Sequence, residues 1–140
     1  MIRRPAVAGQ FYPKEAGGLK ELLATLVDKN KEKKDVIGAL VPHAGYIYSG
    51  SVAGAVFSQI KFKDTFIIIG PNHTGLGFPF SIMTEGKWLT PLGEVEIDRA
   101  LAEEILESSR SLQADATAHQ REHSIEVQLP FLQYIEPGFK

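Results

Sequence analysis

Three of the four histidines in this sequence stand where an imidazole could act on a ligand. His43 lies in Val41-Pro42-His43-Ala44-Gly45-Tyr46, directly after an apolar run, and His73 lies in Gly70-Pro71-Asn72-His73-Thr74-Gly75, directly after another. Imidazole is a good ligand for zinc, iron or copper. Two imidazoles delivered by neighbouring strands would make half of a metal site, with ring nitrogens roughly 3–4 Å apart around ions held at about 2.0–2.2 Å. Taken singly, either histidine could equally be a solvated loop residue; the matching positions after two successive apolar runs favour a shared role. The two do not form a local ligand motif such as HExxH. His123 lies in Glu122-His123-Ser124-Ile125-Glu126, and at helical spacing it shares a face with Glu126. A helix start there would depress its pKa and favour a neutral base or ligand, although the same residues would also make an ordinary polar helix cap. Tyr46, Tyr48 and Asn72 flank these histidines and are candidate pocket residues, with simple packing the alternative for the tyrosines. His119, in the polar stretch 116–121, reads as a surface residue.

The elements that would carry these groups follow from periodicity. Leu19, Leu22, Leu23, Leu26 and Val27 recur at helical spacing, and Lys29–Asp35 is an almost wholly charged, solvated run. Val36–Val41 and Thr65–Gly70 are continuous apolar segments ended by proline, the pattern of parallel strands covered on both faces. Val52, Val56, Phe57 and Ile60 predict a helix over 51–60 between them. Strand, helix, strand is the unit of a parallel sheet, whose carboxyl edge is where open α/β folds bind ligands. Phe80–Thr84 is expected as a third strand, and 87–89 with 94–96 as a hairpin about Pro91-Leu92-Gly93. Asp98 is a candidate N-cap for a helix through Leu106, 108–115 reads as a loop, and 122–134 as a helix kinked at Pro130. The turn at Glu136-Pro137-Gly138 followed by Phe139-Lys140 reads as the start of a further element.

Composition bounds the function. The 140 residues make about one domain, 1–140, with a 44% hydrophobic fraction that can support a core. A net charge of −2 does not suit a nucleic-acid or anionic-membrane partner. There is no cysteine, so no disulfide and no thiolate ligand comes from these residues. No signal peptide or membrane-length apolar segment is recognisable, which makes the cytoplasm the expected location. Neither a GxGxxG fingerprint, a phosphate-binding Walker motif nor a GxSxG elbow is present.

Four blocks in order resemble the Memo family, also called AmmeMemoRadiSam system protein B: Arg4–Pro13, Pro42–Gly50, Gly70–His73, and Glu122–Glu126 with Leu129-Pro130-Phe131. The resemblance implies a fold similar to class III extradiol dioxygenases, α/β with a mainly parallel sheet flanked by helices. It implies non-haem iron or copper, with zinc as a further candidate, held by His43 and His73. His123 would occupy the acid–base position. Glu126 joins Asn72, Tyr46 and Tyr48 as a candidate pocket residue read from its place beside these histidines. The third protein ligand is expected outside these residues, because copper-linked relatives draw a cysteine from the second half of the fold. By that resemblance the chain is an amino-terminal portion, apparently truncated. The implied activity is a metal-dependent oxidoreductase acting on a small molecule. The alternative is a non-catalytic module that takes a phosphopeptide or another small anion in the same histidine-lined pocket.

Overall fold

The structure, a computed structural model, describes residues 1–140. Its core is helical. Helix α1 (Ala16–Leu26) buries Leu19 and Leu23, one turn apart on one face. Helix α2 (Tyr46–Phe57) buries Tyr46, Ala53 and Phe57. The two helices cross tightly at Gly54, where a Cβ would stand 2.1 Å from the Leu26 carbonyl oxygen, so only glycine fits. A third helix from the end of the chain packs on both, burying Leu129, Phe131 and Leu132. Phe131 stacks on Phe57 at 5.2 Å and lies 4.7 Å from the Tyr46 ring.

Two small sheets flank this core. Strand β1 (Ile2–Arg3) runs parallel to β3 (Lys87–Thr90), which forms an antiparallel hairpin with β4 (Gly93–Glu96). Strand β2 (Ser81–Ile82) runs parallel to β5 (Gln113–Ala114). Helix α3 (Arg99–Ser108) is capped by Asp98, which accepts from the Leu101 N–H at 3.1 Å. The architecture is α/β with mixed sheets. No helix is long and apolar enough to cross a membrane.

The central parallel ladder is not formed. Neither 36–41 nor 65–70 is a hydrogen-bonded strand, and no backbone–backbone bond involves 36–41 or 67–70. Backbone–backbone bonds hold each only where it begins. Lys34 N–H donates to the Gln59 carbonyl at 2.6 Å, and Lys140 N–H donates to the Asp64 carbonyl at 2.9 Å. A strand exists only as one side of a ladder, and these two segments have neighbours at one end alone. The expected third strand is reduced for the same reason to Ser81–Ile82.

Other boundaries move by local chemistry. The helix expected over 51–60 begins at Tyr46. The segment expected to be a kinked helix over 122–134 is instead irregular at 122–123, a turn at 124–125, a 3-10 turn at Glu126–Gln128, and helix α4 (Leu129–Ile135). Pro130 lies in the first turn of α4, where its missing N–H costs nothing. His123 therefore lies just ahead of the turn, its carbonyl accepting from the Val127 N–H at 3.0 Å.

A candidate metal centre of three histidines

His43 follows Pro42, whose carbonyl accepts from Gln128 Nε2 at 3.1 Å. His73 follows Gly70-Pro71, a segment pressed against Ser124. The Ser124 hydroxyl donates to the Pro71 carbonyl at 3.0 Å, and a Cβ on Gly70 would meet that hydroxyl at 2.3 Å. Asn72 closes the turn beyond it, its Oδ1 accepting from the N–H groups of Thr74 at 3.1 Å and Gly75 at 3.0 Å. These contacts bring three rings to one place. Centroids of His43 and His73 are 5.2 Å apart, of His43 and His123 5.9 Å, and of His73 and His123 4.6 Å in a stacked pair. One ring nitrogen from each lies within 4.8 Å of the other two. Small side-chain rotations would bring them to the roughly 3–4 Å that a shared ion requires. The donor set, three imidazoles, suits zinc, iron or copper.

Glu122 organises the cluster. Its Oε2 accepts from the His73 N–H at 2.6 Å, and its Oε1 lies 2.9 Å from His73 Nδ1 and accepts from the N–H groups of His123 and Ser124 at 2.8 Å each. Burial raises its pKa, but hydrogen bonds from His73 and Ser124 outweigh that and hold it at about 2. An ionised carboxylate on Nδ1 makes that nitrogen the donor, so Nε2 of His73 is the one available to a metal ion. This is the outer partner that metal-binding histidines characteristically have. His123 is held below its ordinary pKa, by burial first and by His73 and His43 beside it, against the opposing pull of Glu122.

A family model for Memo-like proteins matches residues 3–140. A MEMO1 family protein of Pyrococcus abyssi is 49% identical over 141 residues, spanning 96% of this chain and 48% of its own length. Corresponding proteins of Methanosarcina barkeri, 49% identical, and Methanobrevibacter smithii, 43% identical, cover 95% and 100% of this chain. This chain belongs to the Memo family. It spans about half the length of those relatives, 48–55% of each.

Within this Memo-family chain the other expected pocket residues are placed differently. Tyr46 is buried in the core and donates to the Val127 carbonyl at 2.7 Å. Tyr48 is exposed on the outer side of α2. Glu126 is wholly buried away from the histidines. Its carboxylate accepts from Arg3, from the Tyr12 hydroxyl at 2.6 Å, and from the N–H groups of Ala6 at 2.8 Å and Val7 at 3.1 Å. No lone pair is left for a pocket. His119 is half-buried near Trp88, with Nε2 enclosed and unpartnered, and is not the surface residue that its polar neighbours suggested. Sequence reasoning missed Glu122. The signal was an acidic residue adjoining His123 in a family block, but helical spacing drew attention to Glu126.

Proposed function

We propose that this chain carries the histidine half of a Memo-type metal centre serving redox chemistry, in a fold akin to the class III extradiol dioxygenases. The observation behind it is the convergence of three imidazole nitrogens within 4.8 Å, one of them oriented by a buried carboxylate. His43 and His73 would hold the ion. Iron or copper, when bound, would supply one-electron chemistry toward dioxygen or an organic substrate. Glu122 keeps His73 in the tautomer that presents Nε2. His123, neutral at pH 7 and covered on one side by the Phe11 ring at 4.8 Å, would take or return a proton at a substrate oxygen.

The non-catalytic anion-binding reading has weaker support. The Thr74 and Gly75 N–H groups it would use are already taken by Asn72, and Glu122 places a negative charge beside the rings.

The test is metal loading of the purified protein with Fe(II), Cu or Zn, followed by dialysis and elemental analysis. His43→Ala and His73→Ala should each remove the bound metal, and His119→Ala should not. His123→Gln decides its role. Retained metal with turnover reduced by about 10²–10⁴-fold identifies a proton-transfer group; loss of metal makes His123 a third ligand. Equal metal loss in the His119 variant would refute the assignment.

A further inference from the structure

The lead segment 3–12 bears on all three histidines, although none of its side chains could ligate a metal through an imidazole. The Phe11 ring lies 4.8 Å from the His123 ring, and the Phe11 carbonyl accepts from the Tyr46 N–H at 2.8 Å, three residues beyond His43. Toward His73 the segment acts through Arg3.

Arg3 is 3% exposed, and each of its three side-chain nitrogens has a partner. Nε donates to the His119 carbonyl at 3.1 Å, Nη2 to the Glu122 carbonyl at 2.6 Å, and Nη1 to the Glu126 carboxylate. A guanidinium is a planar fork whose donors keep fixed directions, so these bonds hold residues 119, 122 and 126 against one plane. That plane is itself held. Its centre lies 4.4 Å from the Trp88 ring centroid, and Arg3 pairs with Trp88 in the ladder of β1 with β3.

Neutralising the charge needs only the bond to Glu126. The two carbonyl bonds do something else: they fix a main chain. At Glu122 the consequence passes on. Its carbonyl is tied to Arg3, while its carboxylate accepts from the N–H groups of His73, His123 and Ser124 and meets His73 Nδ1 at 2.9 Å. One residue is thus anchored by Arg3 through its backbone and anchors two histidines through its side chain.

We propose that Arg3 is a positioning residue for the histidine cluster: by holding the Glu122 main chain it keeps the Glu122 carboxylate on His73 Nδ1, and so presents His73 Nε2 beside His43 and His123. The purpose of this arrangement rests on the metal-centre reading, but the arrangement itself exists without metal and is tested without it.

The test uses the metal-free protein labelled with ¹⁵N-histidine, at about pH 8, where an ordinary imidazole is neutral. Ring ¹⁵N shifts distinguish the two neutral tautomers. Wild-type His73 should carry its proton on Nδ1. Arg3→Lys keeps a charge for Glu126, but one ammonium cannot replace a fork spread over three acceptors. In that variant His73 should become a mixture of tautomers, and the His73 and His123 amides should exchange about tenfold or more faster, because their acceptor is no longer held. A second variant, Arg3→Met with Glu126→Gln, removes both buried charges together, which proteins often tolerate, and leaves an acceptor for the Tyr12 hydroxyl. It should show the same loss. Leu23→Ala, a core truncation in α1, is the control for general loosening and should leave the His73 tautomer unchanged.

A wild-type His73 protonated on Nε2 would overturn the proposal. So would a folded Arg3 variant with the Nδ1–H tautomer and amide exchange intact, and so would an equal change in Leu23→Ala. Metal titration of the wild-type protein is read separately: failure to bind iron, copper or zinc refutes the metal-centre reading and leaves the tautomer result standing.

Discussion

Two regions of this molecule invert the usual rule of polar outside and apolar inside. Around Glu126 the interior is charged and complete. Arg3 donates to Glu126, to the Glu122 carbonyl at 2.6 Å and to the His119 carbonyl at 3.1 Å, while its guanidinium lies 4.4 Å from the Trp88 ring centroid. Every oxygen of Glu126 is partnered, and its proximity, after burial, raises the pKa of Tyr12 far above the ordinary value, so that hydroxyl stays a donor. On the histidine side the outside is apolar and open, with Ile69 90% exposed and its backbone unpaired. The difference teaches where folding is finished. The clamp ties the first residues to the Glu122–Glu126 turn with partners all inside this chain. The apolar runs that lead to His43 and His73 have backbone–backbone hydrogen bonds only at their beginnings.

The sharpest break of that contrast is Glu126→Ala. It would leave the Arg3 guanidinium buried without its counter-charge and should cost about 3–5 kcal/mol in urea unfolding at pH 7. A loss under about 1 kcal/mol would mean that the clamp is not what finishes this region. Next in size is Glu122→Gln, measured by metal titration. Removing the charged partner of His73 Nδ1 should weaken metal affinity about 10–100-fold while the protein still binds, because the ligands themselves remain.

A smaller effect is expected with pH. Burial holds His119 below its ordinary value of 6.5, against the pull of Asp115. The unfolded chain therefore takes up a proton below about 6.5 that the folded chain resists, so stability present above pH 6.5 declines as the pH falls toward the lowered value. His119→Phe should flatten the decline between pH 7 and 5.5 in denaturant midpoints. An unchanged slope would place the cause elsewhere. The smallest effect belongs to the bare face. Ile69→Lys in the 140-residue chain should change stability by no more than about 0.5 kcal/mol, since an exposed side chain has little packing to lose. A loss comparable to a core substitution would show the face is already covered.

Much of the site was legible because it rests on local order. His43 and His73 come immediately after Pro42 and after Pro71-Asn72, and turn chemistry alone places them at the ends of apolar runs. The hairpin 87–96 and the Asp98 cap were legible for the same reason. Glu122 and Glu126 were not. Four residues apart in one turn, they face opposite tasks, Glu122 toward His73 and Glu126 toward Arg3, across separations of 49 and 123 residues. Helical periodicity could not separate them, because Pro130 shifts the helix start to Leu129 and the intervening residues turn instead.

By itself the sequence determined the family, the histidines, the apolar runs and the breakers between them, all properties of short segments and of order along the chain. Only the tertiary structure decided that three imidazoles meet, that the acidic residue serving them is Glu122, and that the apolar runs remain unpaired. Each of those depends on which distant backbone supplies a hydrogen bond, and a ladder forms only where a neighbouring strand is present to complete it.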